Sequence, residues 1–191
     1  MAGEPGIVCM NDLWKQALHH LDKGNFSRLE SVLGGPERFD AQIVDWFETG
    51  KFDDEPEALA EVLTCACMLG RAEPARYLLD HGVDAVAGMK TGLNGFHYAV
   101  SGGHLDVVKL MIDHKVPMEV ENMYGGTVFG QALWSAANEY KPSHADVIEA
   151  LLEANPYVDP DSLEWWKMQN IPSAETKKRV ADLLRRHKES R

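Results

Sequence analysis

Cys65-Ala66-Cys67 is the densest group of metal-binding side chains in this 191-residue sequence. Zinc-binding cysteines usually come as C-x₂₋₄-C beside a second pair or histidines. On a helix, residues two apart point about 200° away from each other, so these two thiolates could not both reach one ion. The third cysteine, Cys9, is distant, and three cysteines make no disulfide framework, which favours a reducing compartment. Asp53-Asp54-Glu55 offers hard oxygen ligands without the D-x-D-x-D-G spacing of a calcium loop. None of the eight histidines has a nucleophile at motif spacing, so the roles that mark a catalytic site are missing. His81 and His114 fall near helix ends, where an imidazolium complements the helix dipole. Gly102-Gly103 and Gly125-Gly126 lack the Lys-Ser/Thr or the third glycine of a phosphate loop and read as turns with positive φ. The expectation is no catalytic residue, no metal and no cofactor. An enzyme or metalloprotein using Cys65, His97 or the inserted loop stands as the alternative.

The elements behind these residues repeat. Glu61-Val62-Leu63-Thr64-Cys65-Ala66 recurs as Asn94-Gly95-Phe96-His97-Tyr98-Ala99 and as Thr127-Val128-Phe129-Gly130-Gln131-Ala132, at a spacing of 33 residues. Gly70 to His81 recurs as Gly103 to His114. A fixed period of this size means stacked units, each unable to bury its apolar face alone. Each unit reads as two short antiparallel helices. Asn94 to Ser101 forms one, Gly102-Gly103 breaks it, and a second starts near His104 with Val107, Val108, Leu110, Met111 and Ile112 on its apolar side. Lys115 to Gly126 holds turn residues and no helical pattern, so it is expected as an extended excursion or hairpin. Leu63, Phe96 and Phe129 are the large plugs between layers, and Ala66, Ala99 and Ala132 are small where helices approach.

Met89 to Ala99 (MKTGLNGFHYA), followed by Gly103 to Met111 (GHLDVVKLM), resembles an ankyrin repeat, whose typical form is D-x-x-G-x-T-P-L-H-x-A-A-x-x-G-H-x-x-V-V-x-L-L. Asn122 to Phe129 keeps the turn glycine and helix-initiating Thr, and Asp146 to Ala154 matches a second helix. Tyr140 to Ala145 lengthens the loop between these helices by some seven residues. The resemblance is specific over residues 59–153. It implies an all-α repeat solenoid, an ankyrin-type helix-turn-helix stack of about five units with hairpin loops and degenerate terminal capping repeats. Residues 1–10 are expected to be disordered or extended, and 11–188 to form one domain. Its units lie at about 11–36, 57–88, 89–121, 122–160 and 161–188, with an inserted helix at about 37–49 burying Ile43, Trp46 and Phe47. The resemblance further implies that His97 bonds between loops of successive repeats, and that Cys67 fills a small buried position. Trp165-Trp166 should split, one ring inward.

In such a stack recognition uses hairpin tips and late positions of the first helices, on the concave face. Residue by residue these are Met68 and Leu69, then Lys90, Thr91, Leu93, Ser101 and Gly102, then Met123, Tyr124, Gly126, Trp134 and Ser135. Trp134 beside Tyr124 and Met123 is the sharpest feature, since exposed aromatics and Met mark binding surfaces. The opposing expectation has the 140–145 loop folding over Trp134 and making it core.

Charge narrows the partner. The formal net charge is −11, and eight acids face one lysine between Asp40 and Glu61. From Ala174 to Arg191 seven basic residues face three acids. A chain this acidic is a poor general nucleic-acid binder, though contact of its basic last helix with nucleic acid or an anionic surface remains an alternative. No apolar run approaches the roughly 20 residues of a membrane span, and the N-terminus lacks a signal-peptide pattern. The reading is a non-enzymatic, cytoplasmic, monomeric module that binds a partner protein, one of basic character, and takes no small-molecule substrate.

Overall fold

Two glycines 33 residues apart set the turn inside each unit. Gly70 and Gly103 have φ of 69° and 66°, the left-handed region where a side chain is strained. The turn places Gly103 N–H on the Val100 carbonyl and His104 N–H on that of Ala99. A Cβ at Gly103 would also collide with Ser143, and one at Gly70 with the His104 ring. The turns leave room for the next layer to close in.

The computed structural model describes residues 10 to 190. The N-terminal segment expected to be disordered or extended lies outside them, except Met10, as do Cys9 and Arg191. Eleven helices are found among the described residues: α1 (Met10–Asp22), α2 (Phe26–Val32), α3 (Pro36–Glu48), α4 (Pro56–Met68), α5 (Ala72–Asp80), α6 (Gly95–Gly102), α7 (Leu105–Asp113), α8 (Val128–Asn138), α9 (His144–Glu153), α10 (Ser162–Met168) and α11 (Ala174–Glu189). They stack in two rows. An inner row runs α1–α4–α6–α8 and a back row runs α3–α5–α7–α9–α11, with α10 packed on α11.

The core follows the period. Leu63, Phe96 and Phe129 are buried, as are Ala66, Ala99 and Ala132 between the inner helices. α6 and α8 start on side-chain caps, Asn94 Oδ1 accepting from His97 N–H and Thr127 Oγ1 from Gly130 N–H. Glu61, in the same register, is not a cap. Pro56 opens α4 early, so Glu61 sits inside the helix and its carboxylate accepts the Lys90 backbone N–H at 2.8 Å.

Two local expectations are corrected, and a third, the split of Trp165 and Trp166, is met. Phe47 is only half-buried, because its ring lies edge-on to Tyr77 at the margin of the back row; Phe39 is buried instead, with Ile43 and Trp46. The extra residues near 140 are shared out. α8 runs on to Asn138, and His144-Ala145 open α9, leaving a connection of 139–143. Its Tyr140 hydroxyl meets Thr176 at 3.2 Å, and Lys141 Nζ donates to the Gly102 carbonyl at 3.0 Å. At the closing end Trp166 is buried, its indole donating to the Lys177 carbonyl, while Trp165 is half-buried.

Ion pairs tie the back row together. Arg179 of α11 grips Asp146 and Glu149 of α9. His114 Nδ1 donates to the Leu110 carbonyl at 2.9 Å, and Nε2 meets Asp80 of α5 at 2.8 Å. Asp80 is the main reason the His114 pKa is raised. A raised imidazole pKa contributes stability that is whole below the unfolded value near 6.5 and fades as pH climbs through the folded one. His114→Gln is therefore expected to cost about 0.5 kcal/mol at pH 5.5. At pH 8.5 it should cost measurably less, as paired urea titrations will show.

Candidate binding groove

Two loop tips and two inner helices build a broad depression with aromatic walls. Asn122 shapes the second tip: its Oδ1 accepts the N–H groups of Tyr124 and Gly126 at 2.9 and 3.0 Å. Its own N–H donates to the Gly126 carbonyl at 2.9 Å. The first tip is joined to it, Met123 N–H donating to the Gly92 carbonyl at 2.9 Å. The turn thrusts Met123 and Tyr124 outward, 63% and 79% exposed.

On α8, Trp134 stands one turn beyond Gly130, which has no side chain to fill the space. Trp134 is 45% exposed, so the 139–143 connection does not cover it. With Leu93, Tyr98 and Tyr124 it walls a groove of about 730 Å³. The floor is polar and satisfied. Ser101 and Ser135 hydroxyls meet at 2.8 Å, Gln131 Nε2 donates to Ser135 at 3.0 Å, and Asn122 Nδ2 donates to Gln131 Oε1 at 2.9 Å. These hydroxyls meet one another, the Gln131 amide and the Glu139 carboxylate, an arrangement that holds α6 to α8. Glu139 closes the rim, 3.5 Å from Ser101 Oγ.

The sequence-derived contact residues divide. Leu93, Ser101, Gly126, Tyr124 and Trp134 share the groove. Ser135 is corrected: it is fully buried, facing Ser101 and Gln131, and offers a partner nothing. Met123 stands on the tip beside the groove. Met68 and Leu69 are half-buried at the end of α4, the Met68 carbonyl accepting from His104 Nε2 at 3.0 Å. Thr91 packs its methyl group toward Gly24. Five groove residues outside that set line it as well: Asn122 and Gly130, which shape it, and Tyr98, Gln131 and Glu139. The period held a signal for Tyr98 and Gln131, which are 33 apart, one turn before Ser101 and Trp134. Glu139 lies beyond the repeated register.

Lys90 borders a second, acidic depression of about 370 Å³ between α1 and α4. Its Nζ bridges Asp22 at 2.6 Å and Glu57 at 3.4 Å. Glu61 is 2% exposed there; Oε1 takes the Lys90 N–H, while Oε2 has no hydrogen-bond partner. Burial pushes its carboxyl pKa up.

The residues weighed for chemistry are occupied by packing. His97 is buried, Nδ1 2.8 Å from Asn94 Oδ1 and Nε2 3.2 Å from the Gly126 carbonyl, and burial holds its pKa low. Cys65 and Cys67 are buried, and burial pushes both thiols upward, away from the reactive thiolate. Among the described residues no three His, Cys, Asp or Glu side chains stand where they could hold a metal ion. No described helix is long and apolar enough to cross a membrane.

A model of ankyrin repeats in three copies matches residues 42–122 and 63–162, together more than half of the sequence. The chain belongs to the ankyrin-repeat family. Ankyrin repeats are generally protein–protein interaction modules and typically non-enzymatic. No curated protein matches this ankyrin-repeat chain.

Proposed function

We propose that this ankyrin-repeat protein binds a partner protein in the groove between α6 and α8, with Tyr124 and Trp134 as anchors. The observation that carries the reading is two large exposed aromatics converging on one apolar-walled depression over a pre-ordered polar floor. Isolated exposed apolar residues need no explanation, but aromatic side chains gathered at a concave site mark recognition surfaces. The binding-competent shape is built before the partner arrives, because Asn122, Gln131 and the serine pair fix tip and helices. The acidic depression at Asp22, Glu57 and Glu61 continues the same face along residues 90–93, and with the acids of 40–61 it favours a basic partner whose approach weakens with salt.

Truncating two anchors of this kind costs about 2 kcal/mol each. The Trp134→Ala, Tyr124→Ala double variant, with an unchanged far-ultraviolet dichroism spectrum, is expected to lose at least tenfold in partner retained on affinity capture. A folded double variant that keeps full capture removes this surface from consideration.

A further inference from the structure

We infer that the α6–α8 groove seats an arginine side chain of the partner, stacked on the Tyr124 and Trp134 rings with its guanidinium on Glu139; this rests on the reading of the groove as the protein-binding site. Glu139 is the charged side chain of the lining. Among the described residues no cation pairs with it, since Lys141, two positions on, spends its amine on the Gly102 carbonyl. The amide and hydroxyl groups of the floor are already bonded to each other. The recognition chemistry left is therefore one carboxylate, touched by the Ser101 hydroxyl at 3.5 Å and by no cation, beside three aromatic rings.

That set selects against other occupants. An acidic side chain would be repelled. A wholly apolar one would desolvate Glu139 with nothing in return, and a buried charge without a partner is costly. A cation meets both features, because aromatic faces attract positive charge and the carboxylate neutralises it. Between the two basic side chains, the guanidinium is planar, weakly hydrated and forked, so it stacks on a ring and binds a carboxylate bidentately. The ammonium of lysine is a strongly hydrated point charge that does neither as well. A space of about 730 Å³ also exceeds one side chain and leaves room for the adjoining backbone of an extended segment.

The probe is the blocked peptide acetyl-Gly-Ala-Arg-Ala-Gly-amide, titrated into the full chain at low salt. Its citrulline counterpart keeps the shape and loses the charge, and its lysine counterpart keeps the charge and loses the fork. Binding is read from the Trp134 indole N–H resonance, assigned with Trp134→Phe. The arginine peptide should give a saturable shift, the citrulline peptide should bind at least tenfold more weakly, and the lysine peptide should fall between them. Glu139→Gln, at an exposed position that leaves folding intact, should weaken the arginine peptide about fivefold or more and leave citrulline unaffected. Equal binding of arginine and citrulline, indifference to Glu139→Gln, or no saturable shift up to about 10 mM peptide overturns the assignment. If that happens while the Trp134→Ala, Tyr124→Ala variant still loses its partner, only the arginine is wrong. If the partner is also retained, the groove itself is wrong.

Discussion

Replacing Phe96 with Ala will destabilise the protein by about 3–5 kcal/mol, a large part of a domain's total stability. Phe96 is fully buried in α6, whose neighbours in the inner row are α4 on one side and α8 on the other. In a stack each unit contacts only its neighbours, so stability is a sum of units and interfaces. Truncating the plug of the middle unit opens a cavity that adjoins both interfaces at once. A truncation at a less deeply buried site costs less. Leu152 of α9, 9% exposed, keeps some contact with water already, and Leu152→Ala should fall toward the lower end of the range for such truncations, about 2 kcal/mol. Urea unfolding followed by far-ultraviolet dichroism compares them, and a Phe96→Ala cost below about 1 kcal/mol would contradict the stacked core.

His97→Ala is the second large effect, at about 2–4 kcal/mol, because it removes a buried ring and leaves polar partners behind. The ring joins two units, reaching from the Asn94 cap of α6 to the Gly126 carbonyl in the tip before α8. Its loss should loosen the tip that presents Tyr124 as well as the fold. The pH dependence has a definite sign. Burial depresses the folded pKa of His97, so the unfolded chain takes up the proton first as pH falls below about 6.5. Stability from the neutral ring is present above that value and lost on acidification. The gap between wild type and His97→Ala should therefore narrow from pH 7.5 to pH 5, the reverse of the trend for His114→Gln. A gap that widens in acid would show that the ring is bound as a cation.

Much of this was legible because the repeat imposes the same environment at equal spacing. Phe96 and Phe129 could be named as plugs, Gly70 and Gly103 as turns, and Leu93, Ser101, Tyr124 and Trp134 as neighbours on one face, from register alone. Register fails where the units differ. Ser135 occupies a late inner-helix position like its equivalent Gly102, yet it is sealed by Gln131, a side chain its equivalent Tyr98 cannot imitate. Glu61 matches the caps Asn94 and Thr127 in sequence, but Pro56 starts its helix early and turns it into a buried brace for Lys90. Glu139 falls in the lengthened stretch after Trp134, where no other unit has a counterpart. Whether Trp134 was covered depended on where that stretch went; α8 absorbed three residues of it and Tyr140 turned to Thr176.

The most direct measurement is amide hydrogen exchange of the full chain, free and with its captured partner. New protection should gather in residues 93–101 and 122–139, the tips and helices that flank Trp134, and leave the back row unchanged. Protection confined to α11, or to α5, α7 and α9, would place the partner elsewhere and contradict the account.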